Sequence, residues 1–263
     1  MNPFIILGPI GMVVVGLLSI LTWKLKRNVR MKYFVFGGLI WIVSILPKVA
    51  MDLALISATI SRWARELFYP SLTFFLVIGA YAGFRTGIFE TFFPYLAIAR
   101  SGLKRITFNE AIAFGIGFGA FEAILLAIPS VINIAVFLTN PSILQLLPPQ
   151  QREFIIAQLS LPTWVVFAPM IERALTILIH VFSILLILIS ITHKKPTYLI
   201  ASFFYKSSVD AAIPYLNYTF NPSLSPVGAY LCELWVALLA LIAIAGIHRI
   251  SKLGKIEEAR PSA

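Results

Sequence analysis

Glu172, Arg173, Thr176 and His180 are the residues whose types and spacing best suit chemistry in this sequence. Glu172 and His180 are eight apart, just over two helical turns, with Thr176 between them, so all three share one helical stripe. A carboxylate can take a proton from water, and an imidazole can return it or hydrogen-bond an oxyanion. The stretch lies inside a mostly apolar run, residues 163–191, long enough to cross a bilayer as a tilted helix. Ionisable groups at that depth face a protein interior or a water-filled cavity. The competing reading is a structural Glu-Arg pair beside a satisfied interior histidine.

Three other apolar runs carry acids: Glu90, Glu122 and Asp210, accompanied by Arg85 and Lys206. Lys48 and Asp52, four apart near the end of an earlier run, read as a local ion pair and are set aside. A charge exposed at the bilayer centre costs about 2.5–3.5 kcal/mol even on the lenient insertion scale. Turning these groups toward each other avoids most of that cost, so four adjacent spans are expected to share one polar centre. Acids and bases there can pair to fix the bundle, with Arg85, Arg173 and Lys206 as the pairing cations. Alternatively, one carboxylate activates water while His180 assists. Several acids converging on one His also permit a metal site.

The elements that must position these residues are membrane helices. Of 263 residues, 59% are hydrophobic and 12% charged, the composition of a polytopic membrane protein. The expected fold is an all-α membrane bundle of about seven transmembrane helices, forming a single integral domain over 1–263. The spans are 3–23, 33–56, 69–99, 108–138, 163–191, 197–216 and 226–247, with 249–263 as a cytoplasmic tail. The polar core belongs to the third through sixth. The first run has no basic segment before it and reads as a retained helix. Residues 150–161 suit a short interfacial helix.

The net charge of +10 does not indicate nucleic acid, because the bases lie in short connections between apolar runs. Fourteen Lys and Arg fall in the connections after the first, third and fifth spans and in the tail, against three after the others. That bias predicts an outside amino terminus and a cytoplasmic carboxy terminus in the cell membrane. Gly79, Gly83 and Gly87, and likewise Gly115 and Gly119, form small-residue ridges that let helices approach closely. The single cysteine, Cys232, excludes a disulfide framework and a Cys-based zinc motif.

Four stretches in order carry a family resemblance. They are Glu90-Thr91 with Arg100 downstream; the glycine-rich run 115–122 ending in Glu122; Glu172-Arg173 followed by His180 and Ser183; and Lys206 with Asp210. Together, over about half the chain, they resemble the motifs of the YhfC family of intramembrane metalloproteases. That family is part of a wider clan of CAAX-processing (Abi) and PrsW-type membrane endopeptidases. The resemblance implies cleavage of membrane-embedded or lipidated peptides and a zinc cofactor, with Glu90, Glu122, Glu172, His180 and Asp210 as catalytic candidates.

The departures are Thr91 for the second acid of the first motif, and Phe118 and Lys206 for histidines of the second and fourth. His180 alone survives, and one imidazole with carboxylates falls short of the usual three-ligand catalytic zinc site. A lysine at 206 repels a cation and is expected to pair with Asp210. Glutamate catalysis without metal, based on Glu90 or Glu172, is one outcome. A non-catalytic scaffold or partner-binding protein is the other, and the clan also includes the non-catalytic scaffold subunit of gamma-secretase. A transporter ranks below both, since no inverted repeat is evident. Expected partners are the lipid bilayer and a membrane peptide or membrane protein. Hydrolysis needs a cavity reaching the carboxylates and His180; a scaffold lets them fill each other's space.

Overall fold

The computed structural model describes residues 1–101, 103 and 106–258, with side chains described through Lys252. The expected loop bases Lys104 and Arg105 and the last tail residues, 259–263, lie outside the described residues. Every regular element among the described residues is helical: α1 Leu7–Arg27, α2 Met31–Leu53, α3 Ile56–Phe68, α4 Leu72–Arg100, α5 Phe108–Thr139, α6 Pro149–Leu159, α7 Phe167–Thr192, α8 Pro196–Ala211, α9 Ile213–Phe220 and α10 Pro226–Glu258. Among the described residues, six stretches are long and apolar enough to cross a membrane: Pro3–Arg27, Met31–Leu53, Leu72–Arg100, Phe108–Thr139, Thr163–Thr192 and Pro226–Lys252.

The seventh expected span, 197–216, is two helices. α8 ends at Ala211 and α9 begins at Ile213. Pro214 supplies the physical reason: it lacks an N–H, and its ring clashes with the carbonyl four residues back, that of Asp210. The chain therefore breaks just past a half-buried acid, as membrane helices do where neighbouring protein satisfies the freed backbone. Pro94 has the same relation to Glu90, yet α4 runs through it, and α5 likewise runs through Pro129.

Two other boundaries differ from expectation. Arg62 and Arg65, read as loop residues, lie on α3, an amphipathic helix entered through Leu55 in a left-handed conformation. Trp63 and Leu67 stay exposed on it while Ala64 is buried. The last helix continues past Ile247 to Glu258.

α5 and α7 form the middle of the bundle, with α1 packed on both, α2 against α5, α8 against α4, and α10 against α7. The largest apolar cluster joins Phe34 and Trp41 of α2, Phe114 and Phe118 of α5, and Ile184 and Ile187 of α7. A smaller one joins Ile179 of α7 to Val236, Leu239 and Ala240 of α10. At one end of the bundle the Trp23 indole donates to the Asn109 carbonyl at 3.1 Å. At the other, the Asn2 side chain donates to the Leu161 carbonyl at 2.9 Å and the Tyr230 hydroxyl to that of Trp164 at 2.6 Å.

Candidate functional site

Close helix approach comes first, because it decides which charges can meet. Gly83 of α4 lies so near α8 that a Cβ there would press on the Ser207 carbonyl, with the carbonyl carbon 3.2 Å away. Gly79 and Gly87 meet Ala211 and Phe203 in the same way. This ridge lays α8 directly on α4 and brings Lys206 to Glu90. On the other side of the site, a Cβ on Gly119 would lie 2.9 Å from the His180 ring and 3.0 Å from the Ile177 Cα. Gly115 similarly admits Val181. The absent side chains of α5 thus leave room for the imidazole of α7.

Glu90 is 5% exposed and held by two ammonium groups. Lys48 Nζ contacts Oε1 at 2.5 Å and Lys206 Nζ contacts Oε2 at 2.7 Å. Lys48 also donates to the Thr86 hydroxyl at 3.2 Å, and Thr86 in turn bonds Asp210. Lys206 Nζ reaches His180 Nδ1 at 3.1 Å. An ammonium can only donate, so Nδ1 accepts and the ring proton sits on Nε2. That nitrogen lies 2.9 Å from Glu122 Oε2. Glu122 Oε1 accepts from Arg173 Nη1 at 2.8 Å, and Arg173 Nη2 pairs with Glu172. Three cations thus interleave with three carboxylates around one neutral imidazole.

A cavity of about 260 Å³ opens beside this network, lined among others by Lys48, Glu122, Glu172, Arg173, His180 and Asp210. The structure therefore brings Glu90, Glu122, Glu172, His180 and Asp210 to one place, and it does so with both space and ion pairing. Glu172 is the most exposed of the three paired acids of this cluster, and Thr176 spends its hydroxyl on the backbone carbonyls of Glu172 and Arg173.

Three expected pairings are corrected. Lys48 does not pair with Asp52; it enters the polar centre. Asp52 instead accepts from Arg85 at 2.6 Å, beside Ser57 and Tyr81, so Arg85 pairs outside the central cluster. Lys206 does not pair with Asp210, because its ammonium is taken up by Glu90 and His180, and Asp210 has Thr86. Sequence reasoning missed Lys48, although a signal existed. It continues the buried stripe of Phe34, Gly37, Trp41 and Ser44 at helical spacing.

The motif positions that depart from the family pattern have other contacts. Phe118 is buried with its ring centroid 4.9 Å from that of His180. The Thr91 hydroxyl is buried without a partner among the described residues. Ser183 joins Ser202 of α8 at 2.7 Å, a buried tie between α7 and α8. Arg100 is exposed as the last residue of α4.

Fold and site define a multi-pass helical membrane protein with a charged, partly hollow centre. The family model of the YhfC intramembrane metalloproteases matches residues 11–228, and the chain belongs to that family. Comparison with curated proteins and with solved structures gives no match.

The family description implies a metal, and the donors can be tested for one. Glu90, Glu122 and His180 offer ligand atoms within 4.8 Å of one another. Both oxygens of Glu90 already lie against ammonium groups, Oε1 through a hydrogen bond and Oε2 through an ion pair without one, and Lys206 faces the Nδ1 lone pair of His180. Glu122 is shared between Arg173 and the other imidazole nitrogen. A divalent ion would have to displace these contacts and sit against a like charge. The residues present do not fit a metal.

Proposed function

We propose that this chain is a non-hydrolytic membrane protein that keeps the family's intramembrane chamber for binding a membrane-embedded peptide or partner protein. One observation carries the reading: Glu90, Glu122 and Glu172 are each neutralised by a cation of the chain itself, Glu90 by two. A general base needs a free lone pair within reach of water. Here the imidazole faces Glu122 through one nitrogen and Lys206 through the other. The cavity remains available to a polar group from a neighbouring membrane segment. In this reading the chain is one integral domain of the cell membrane, amino terminus outside and carboxy terminus cytoplasmic, which the bias of the basic connections favours and in which α8 and α9 together make the seventh crossing.

The cavity also favours a second reading, hydrolysis without metal, because it reaches Glu172 and Asp210. A cleavage assay on purified protein with lipidated and single-span reporter peptides separates the two. The expected result is no turnover by the wild type, by Glu172→Gln or by His180→Ala. Turnover by the wild type that is lost in both variants overturns the binding reading and establishes hydrolysis.

A further inference from the structure

We infer that the Lys206 ammonium is the resident cation of this site, standing where Glu90, Glu122 and His180 would otherwise gather around a divalent ion. The inference goes beyond the non-hydrolytic reading and does not depend on it: a metal-free hydrolase would leave it intact.

The geometry suits an ammonium. Lys206 is 3% exposed, and its Nζ lies 2.7 Å from Glu90 Oε2 and 3.1 Å from His180 Nδ1. The His180 contact is a hydrogen bond and the Glu90 contact an ion pair, both at ammonium distances, whereas zinc binds the same atom types at about 2.0–2.2 Å. The Phe118 ring centroid lies 6.0 Å from Nζ, at the outer range of a cation–ring attraction. Phe118 adds no donor, so nothing from α5 at that position competes for a metal. The ammonium reaches this place because the glycine ridge of α4 admits α8 at backbone contact.

The charge arrangement agrees. Lys48, Arg173 and Lys206 are matched by Glu90, Glu122 and Glu172, and the fourth carboxylate of the cavity, Asp210, is bonded to the Thr86 hydroxyl and offsets at most one further charge. A divalent ion added to this set would bring uncompensated positive charge into a low-dielectric interior. Removing the Lys206 ammonium does the reverse. It takes one more positive charge from the cluster, frees one oxygen of Glu90 and one nitrogen of His180, and vacates the space between them. Truncation at Lys206 should therefore turn a metal-indifferent site into a metal-binding one.

The test uses the full chain purified in detergent from zinc-supplemented cells. Metal content and the thermal unfolding midpoint, with and without zinc or chelator, are measured for the wild type, Lys206→Ala and Lys206→Met. The wild type is expected to carry no stoichiometric metal and to keep its midpoint under either addition. Lys206→Ala is expected to retain zinc, gain stability from it by mass action, and lose both effects when His180→Ala is added. Stoichiometric metal in the wild type, or a chelator-dependent fall in its midpoint, overturns the inference. So does a folded Lys206→Ala or Lys206→Met protein as indifferent to zinc as the wild type. If neither variant folds, the wild-type metal content and chelator response decide. The peptide-cleavage assay is read separately, so turnover by a metal-free wild type refutes the non-hydrolytic reading alone.

Discussion

Replacing Glu90 by glutamine should destabilise the protein more than removing either lysine that holds it. In the wild type one carboxylate serves two ammonium groups, at 2.5 and 2.7 Å on separate oxygens. Lys48→Met leaves Glu90 paired with Lys206, so the loss should stay below the roughly 3–5 kcal/mol typical of stranding a buried charge. Glu90→Gln strands both cations. Taking the two ammonium groups as about 6 Å apart, with an effective dielectric of about 20, their repulsion is about 3 kcal/mol once the anion is gone. The single substitution should therefore reach or exceed that 3–5 kcal/mol range. Adding Lys48→Met to Glu90→Gln should restore part of the loss, because one of the two repelling charges disappears. On the usual scale of about 2–4 °C per kcal/mol, Glu90→Gln should lower the unfolding midpoint by roughly 6–20 °C. Tryptophan fluorescence during thermal unfolding in detergent reads all three proteins and the double variant. A Glu90→Gln protein no less stable than Lys48→Met, or a double variant worse than Glu90→Gln, would show that the two lysines do not share one carboxylate.

Arg173→Met should cost far more stability than Glu172→Gln, since Arg173 is itself buried and also holds the half-buried Glu122, whereas Glu172 is more solvated; comparing midpoints of the two variants checks the order. Gly83→Val should force α8 away from α4, because the added carbons meet the Ser207 backbone; loss of monodisperse protein on size exclusion is the expected sign. In a Cys232→Ala background, cysteines placed at Arg62 and Lys195 should label with impermeant thiol reagents from opposite sides of the membrane, that at Arg62 from outside. Ser183→Ala should leave the Ser202 hydroxyl without its side-chain partner and lower the midpoint by the equivalent of about 1 kcal/mol, seen in the same unfolding assay.

Long apolar runs, their punctuation and the small-residue ridges were legible in the sequence, because membrane length and helical period act residue by residue. So was the convergence of Glu90, Glu122, Glu172, His180 and Asp210, since an isolated charge in lipid is too costly to face outward. Which charge meets which was not legible. Lys48 and Asp52 sit at the spacing of a local pair, yet they turn to different partners on α4. Lys206 and Asp210 do the same, because α8 rests on the glycines of α4 and its ammonium finds Glu90 and His180 first. Spacing along one helix fixes only which side chains can face the same way. The choice among several opposite charges at similar reach depends on how close two backbones come, and that distance exists only once the helices have packed.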